Sequence, residues 1–150
     1  MEQKKNLPDM IYDTFKIKPL ETGQYSPLSL AYIGDSIFDM IIRTLLVSKS
    51  NAPVKKLHKK ASEIVNAKSQ ARLITLIKPE LSEEEIRILK RGRNAKSGTT
   101  AKNATFLDYR KATGLETLIG FLYLTGRLER AVQLTESGLK RMEILPWIIN

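Results

Sequence analysis

Apolar residues recur at helical spacing along almost the whole of this 150-residue chain. Leucine, isoleucine, valine and aromatic residues stand three or four positions apart, which is the repeat of a helix face packed against a core. No segment combines alternating apolar and polar residues with a hairpin turn, the pattern expected of paired strands. The sequence therefore predicts an all-α fold, and its length corresponds to a single domain.

Serine, proline and glycine residues divide the apolar pattern into separate helices. Ser26 before Pro27 is typical of an N-cap followed by the first helical residue. Ser82 and Glu85 have the spacing of a capping box, which marks another helix start. The predicted helices cover about residues 26–47, 53–78, 82–90, 108–126 and 128–145. The domain is expected to span residues 1–150, with a core at about 26–145 and peripheral residues 1–20.

The chain is strongly basic, with 25 lysines and arginines against 16 acids and a net charge of +9. Such an excess of positive charge favours a polyanionic partner, and nucleic acid is the commonest one. The absence of cysteine and the single histidine, His58, exclude a disulfide framework, a thiolate zinc site and a multi-histidine metal cluster. The most apolar stretch, residues 28–47, contains three charges, and no export signal is visible. We therefore expect a cytoplasmic protein.

Two carboxylates stand in helices that are otherwise strongly apolar. Asp35 follows Gly34 in the first long helix, and Glu116 is the only acid between residues 108 and 129. A lone carboxylate in apolar surroundings is costly unless another group pairs with it. Gly114 and Gly120 flank Glu116, and glycine lets a neighbouring backbone or a ligand approach closely. If the two helices cross, Asp35 and Glu116 can meet.

Such a carboxylate pair can hold a hard divalent cation. Magnesium is bound in proteins through one or two carboxylates together with water and phosphate oxygens, and it can activate water for hydrolysis of a phosphodiester. Carboxylates that act as acid and base without a metal are an alternative. A structural role is another, in which Asp35 faces water and Glu116 pairs with a cation such as Arg110.

Two basic clusters are candidate surfaces for binding RNA. Residues 90–111 carry seven cations against one acid, among small residues that can donate hydrogen bonds to phosphate oxygens. Residues 55–60 carry four lysines around His58, for which a solvated helix face is the alternative. Aromatic residues are few in both clusters, which favours backbone contacts to a duplex over stacking on single strands. The candidate RNA-binding residues are Lys55, Lys56, His58, Lys59, Arg91, Arg93, Asn94, Lys96, Ser97 and Lys102.

Several segments resemble those of a known family. Residues 30–36, which include Ile33-Gly34-Asp35-Ser36, resemble the signature helix of ribonuclease III domains. Residues 116–120, Glu116-Thr117-Leu118-Ile119-Gly120, resemble the second catalytic segment of that fold. Residues 90–97 are similar to the Mini-ribonuclease III branch, the short bacterial form, as are Tyr109-Arg110 and residues 112–114. The resemblance covers roughly residues 26–139.

The resemblance implies an all-helical, homodimeric endoribonuclease that cleaves double-stranded RNA with Mg²⁺, for which Mn²⁺ can substitute. It implies that Asp35 and Glu116 are the catalytic and metal-binding residues. It also implies a substrate, the 23S rRNA precursor, which the Mini branch matures at its 5′ and 3′ ends, and a ribosomal protein as a further partner. Since that branch lacks a separate domain for binding double-stranded RNA, the catalytic domain is expected to supply the RNA affinity.

The chain departs from the longer members of the family at three positions. Leu28, Ala31 and Thr113 stand where those enzymes carry acids, which leaves open how many metal ions each site holds. If the missing acids mark a degenerate site, the alternative function is that of a non-catalytic RNA-binding module in ribosome assembly. A basic helical protein that binds another protein is a third hypothesis.

Overall fold

The computed structural model describes residues 4–49, 51–95 and 105–149, and within these ranges all regular structure is helical. The α-helices are α1 (Leu7–Phe15), α2 (Pro27–Lys49), α3 (Val54–Ile64), α4 (Ala67–Ile77), α5 (Glu83–Asn94), α6 (Phe106–Leu124), α7 (Leu128–Arg141) and α8 (Leu145–Ile149). Single 3₁₀ turns occupy Thr22–Gln24 and Lys78–Glu80. The prediction of an all-α fold is confirmed. Within the described ranges, no helix is both long enough and apolar enough to cross a membrane.

Helix α6 is the centre of the fold, because α2, α4, α5 and α7 all pack against it. Eleven of its residues between 112 and 123 are buried, which explains why its sequence has almost no polar face. Phe38 and Ile42 of α2 meet Leu118 and Leu122 of α6 in a single apolar core, and each of these side chains is fully buried. Glu116, a half-buried acid, is therefore an exception among the buried and mostly apolar residues of this part of α6.

The predicted helix starts are confirmed by their caps. The Ser26 hydroxyl oxygen accepts the Ser29 N–H at 3.1 Å, next to the first residue of α2. The Ser82 hydroxyl accepts the Glu85 N–H at 3.1 Å, and the Glu85 carboxylate accepts the Ser82 N–H at 2.9 Å. Both serines thus satisfy N–H groups that have no partner inside the helix.

Three predicted helix boundaries are wrong. Helix α5 extends to Asn94, four residues beyond its predicted end at residue 90. The expected second helix is divided at residues 65–66, where Asn66 is extended and its side chain accepts the Ser69 N–H at 2.9 Å as the N-cap of α4. The apolar repeat continues on both sides of this break, so periodicity alone conceals it. The last predicted helix ends at Arg141 rather than 145, because Glu143 adopts a left-handed φ of 61° that no helix accommodates.

The N-terminal helix α1 lies at the surface, with only Pro8 of its nine residues buried. Its inner side faces the rest of the domain through Tyr12, which is within hydrogen-bonding reach of Tyr25 and close to Tyr123. Burial raises the pKa of the Tyr12 phenol above its usual value.

Candidate active site

The crossing of α2 and α6 is made by two glycines that bring the backbones into direct contact. A Cβ at Gly34 would overlap the carbonyl group of Glu116, and a Cβ at Gly120 would overlap the carbonyl group of Leu30. Neither site has room for a methyl group, so glycine is required for the close approach. This contact fixes residue 35 on α2 opposite residue 116 on α6.

Asp35 and Glu116 meet at this crossing. Asp35 is exposed and Glu116 is half-buried, and their carboxyl groups are within hydrogen-bonding reach of each other. Burial, followed by the negative charge of Asp35 and the hydrogen bond to it, raises the pKa of Glu116 to about 8. Like charges at this separation cannot both ionise freely, which is the expected behaviour of a carboxylate pair without a counter-ion.

Among the described residues, no lysine or arginine neutralises this pair, because no ion pair there includes Asp35 or Glu116. Arg110 is not a partner of Glu116: its guanidinium donates to the Arg93 carbonyl oxygen at 2.8 Å and to the Asn94 side-chain oxygen at 3.0 Å. Among the described residues, the structural alternative for Glu116, pairing with a cation such as Arg110, is therefore wrong. Arg110 instead fastens the end of α5 to α6.

The donor set fits a hard divalent cation. Proteins typically coordinate Mg²⁺ through one or two carboxylates, and water and phosphate oxygens complete its coordination. Here two carboxylates are adjacent, and one of them is open to solvent. Among the described residues, no group of three or more acids or histidines converges. The positions where longer relatives were expected to carry acids hold an exposed Leu28, a buried Ala31 and a buried Thr113.

A buried threonine, which is not among the predicted site residues, also holds the site together. The Thr117 hydroxyl lies 2.7 Å from the carbonyl oxygen of Thr113 and 3.2 Å from that of Pro27. It therefore ties the first residue of α2 to α6, one position after Glu116. The position of this threonine within an apolar run could have indicated the contact, because a buried hydroxyl needs a hydrogen-bond partner.

Asp39, one turn after Asp35, does not join the carboxylate pair. It forms an ion pair with Arg43 on the same helix, with Nε and a carboxylate oxygen 3.0 Å apart. Its charge is therefore already balanced within α2.

The predicted RNA-binding residues of α5 lie at its C-terminal end. Arg91 is exposed and donates to the Tyr25 carbonyl oxygen at 3.4 Å, Arg93 is half-buried, and Asn94 accepts the hydrogen bond from Arg110. Lys96, Ser97 and Lys102 lie outside the residues that the structure describes.

The predicted residues of α3 form an exposed face. Lys55, Lys56, His58 and Lys59 are all exposed, and none forms an ion pair within the described ranges. Lys60 differs from them, since its ammonium lies 5.3 Å from the centre of the Trp147 ring. Such a cation–π contact holds Lys60 against α8.

Comparison with known proteins identifies the class of this domain. The family model named Ribonuclease III domain matches residues 28–127, which contain helices α2 to α6 and both carboxylates. The domain is thus that of an endoribonuclease of the ribonuclease III type.

Individual relatives narrow the assignment. The chain is 53% identical over 108 residues to Mini-ribonuclease 3 of Clostridium tetani, covering 71% of this chain and 72% of the relative. It is 44% identical over 118 residues to Mini-ribonuclease 3 of Brevibacillus brevis, covering 79% and 88%. A crystal structure of a Fusobacterium nucleatum protein superposes with a TM-score of 0.72 at 33% identity, covering 79% of this chain and 95% of that one. The chain belongs to the Mini-ribonuclease 3 branch of the ribonuclease III family.

Proposed function

We propose that this endoribonuclease cleaves double-stranded RNA with Mg²⁺ held by Asp35 and Glu116, and that Mn²⁺ can substitute. The observation that carries the proposal is the meeting of these two carboxylates at the α2–α6 crossing without a paired cation among the described residues. Two acids forced together are costly for the fold and become favourable only with a cation between or beside them.

The described residues have distinct roles in the proposed reaction. Asp35, being exposed, faces the substrate, while the half-buried Glu116 is held by the backbone contact with Gly34. When bound, Mg²⁺ would supply an activated water and charge stabilisation at the scissile phosphate. Arg91, Arg93 and Asn94 would contact the RNA backbone, as would Lys96, Ser97 and Lys102. Such contacts position a duplex without reading its sequence.

The exposed lysine face of α3 is proposed as a second contact to the RNA backbone. Lys55, Lys56, His58 and Lys59 point into solvent and have no acidic partner in the described ranges. Neutralising several phosphates releases counter-ions, so affinity should fall steeply with salt.

The enzyme is proposed to act as a homodimer through helix α2. Tyr32, Met40 and Val47 are 83%, 55% and 62% exposed and lie along one side of the helix. Met40 and Val47 also border an open groove of about 520 Å³. Since Asp35 is on the same helix, a two-fold contact along this side would bring two catalytic pairs close together, one for each strand.

The proposed substrate is the precursor of 23S rRNA, matured at its 5′ and 3′ ends in the cytoplasm. The membership in the Mini-ribonuclease 3 branch supports this assignment. A ribosomal protein is proposed as a further partner, because such a precursor is processed while it is assembled with protein.

The test is cleavage of a labelled RNA duplex that carries the paired ends of a 23S precursor. The wild-type chain should cut it with Mg²⁺ and leave it intact with EDTA, whereas Asp35→Asn should bind it without cutting. Asp39→Asn is the matched control, since Asp39 is paired with Arg43 and should be dispensable. Metal-dependent cutting by Asp35→Asn would refute the assigned site, and binding without any cutting by the wild type would favour the non-catalytic alternative.

A further inference from the structure

A basic groove lies between α4 and α6, and neither Asp35 nor Glu116 lines it. The groove is open and measures about 610 Å³, and seven of its ten lining residues are polar or charged. Its charged lining residues are Lys68 and Arg72 of α4 with Asp108 and Lys111 of α6.

A smaller groove of about 120 Å³ extends this one towards α5. The two share Thr75 and Lys111, and the smaller groove adds Lys78 and Arg93. The Lys111 ammonium lies 3.4 Å from the Thr75 hydroxyl at the junction. The two grooves therefore form one continuous surface, here called the α4–α6 groove, that ends at the basic end of α5.

Counted over the described residues, the α4–α6 groove holds five cations against one acid. Its cations are Lys68, Arg72, Lys78, Arg93 and Lys111, and none is in an ion pair with a described residue. The arginines of the neighbouring α7 region contrast with them, since Arg127, Arg130 and Arg141 each pair with an acid. Unpaired cations facing one groove create a field that attracts a polyanion.

The spacing of these cations suits a nucleic-acid strand. Lys68 and Lys78 are ten residues apart along α4 and the turn that follows it, which corresponds to about 15 Å. A strand of a duplex carries a phosphate roughly every 3.4 Å along its axis, so several phosphates fit over this length. The side chains of Ser69, Thr75 and Asn66 also line the groove, but each donates to a backbone carbonyl oxygen, so the cations are the groups available to phosphate.

We propose that the α4–α6 groove binds the phosphate backbone of the RNA duplex at a place apart from the cleavage site. The inference rests on the proposed function, since it takes the duplex to be the substrate. A long duplex is held both at the carboxylate pair and in the groove, whereas a short duplex reaches only the former. The groove thus adds affinity without sequence information and favours long stems.

The experiment compares RNA binding by the wild type and by the triple variant Lys68→Ala/Arg72→Ala/Lys78→Ala. All three side chains are exposed and alanine favours helix, so the variant should fold. Binding is measured in EDTA over a range of salt concentrations, with duplexes of roughly 30 and roughly 12 base pairs. Lys4→Ala/Lys16→Ala/Lys18→Ala is the matched control, since it removes the same charge from three exposed lysines near α1.

The triple variant should bind the long duplex about 10–100-fold more weakly and lower the slope of log K against log salt by about 2–3. The short duplex and the control variant should change by less than about threefold. If the triple variant leaves the slope for the long duplex unchanged while the wild type binds and cuts RNA, the groove proposal is refuted and the proposed function stands. A wild type that neither binds nor cuts duplex RNA would refute the proposed function. Retention on a polyglutamate column is measured for the same variants. If the triple variant binds RNA like the wild type but is no longer retained on polyglutamate, the groove binds an acidic protein and the RNA proposal is refuted.

Discussion

Gly34 of α2 lies directly against the backbone of Glu116 in α6. A Cβ at position 34 would stand 2.7 Å from the Glu116 carbonyl carbon and 2.7 Å from the Gly120 nitrogen. The residue before Asp35 is therefore the one that sets how closely the two carboxylates approach. The geometry of the carboxylate pair and the packing of the two helices depend on the same contact.

Replacing Gly34 by alanine should destabilise the fold, because the added methyl group meets backbone rather than a flexible side chain. We expect the free energy of unfolding to fall by about 1–3 kcal/mol or more, as in other overpacked interiors. Urea denaturation followed by circular dichroism measures the change. Gly23→Ala is the control, since nothing lies within 4 Å of its added Cβ. Equal stabilities of the two variants would contradict the backbone contact.

Replacing Glu116 by glutamine should affect stability and activity in opposite directions. Without divalent cations, the variant should gain about 1 kcal/mol, because the amide removes a half-buried acid from beside Asp35. Cleavage with Mg²⁺ should fall by ~10²–10³-fold or more, since the proposed ion loses one of its two carboxylates. Thermal unfolding in EDTA and single-turnover cleavage are the two measurements. A loss of stability in EDTA would show that Glu116 has a favourable partner in the fold.

The carboxylate pair was predictable because both acids break a local rule. Asp35 and Glu116 each stand beside apolar residues in the most apolar stretches of their helices, and burial of such acids calls for a partner. The flanking glycines indicated close backbone contacts, and the structure places Gly114 against Leu89 of α5 and Gly120 against Leu30 of α2. A local anomaly of this kind is visible without any knowledge of the tertiary fold.

The remaining features depend on which helix faces meet, and periodicity does not contain that information. Arg110 was a candidate partner of Glu116 in the sequence, yet it bonds to the end of α5. No local pattern in the sequence distinguishes Lys68, Arg72 and Lys78. They line one groove only because α4 packs beside α6. The break at Asn66 was hidden because the apolar repeat runs through it.

A negative charge on the exposed side of α2 should dissociate the proposed dimer. Met40→Asp and Val47→Asp each place a carboxylate in the apolar surface, where it would have to be buried on association. Sedimentation velocity should show monomers for both variants and a dimer for the wild type. Val132→Asp on α7 is the control, since Val132 is 44% exposed and lies on another helix. A wild-type monomer, or a dimer that survives both variants, would exclude this interface.

The pair formed by Glu85 and Arg130 should make stability depend on pH in the acid range. Both carboxylate oxygens of the buried Glu85 accept from Arg130, at 2.9 and 3.0 Å. The hydrogen bond from Arg130 is the main cause that holds the pKa of Glu85 below its usual value, against the effect of burial. A lowered carboxyl pKa stabilises the fold above the unfolded-state pKa of about 4.3. This stabilisation is lost as the pH falls through the lower pKa of the folded state.

Glu85→Gln should therefore cost about 1.5–3 kcal/mol at pH 7 and flatten the decline of stability below about pH 5. Glu84→Gln is the matched control, because the Glu84–Arg127 pair is exposed and such pairs contribute only about 0–1 kcal/mol. Urea denaturation at several pH values between about 3 and 7 gives both quantities. If Glu85→Gln and the wild type lost stability in parallel on acidification, other carboxylates would be responsible for the acid sensitivity. The capping of α5 by Ser82 remains in either variant, so a large loss confined to Glu85→Gln reports the tie between α5 and α7.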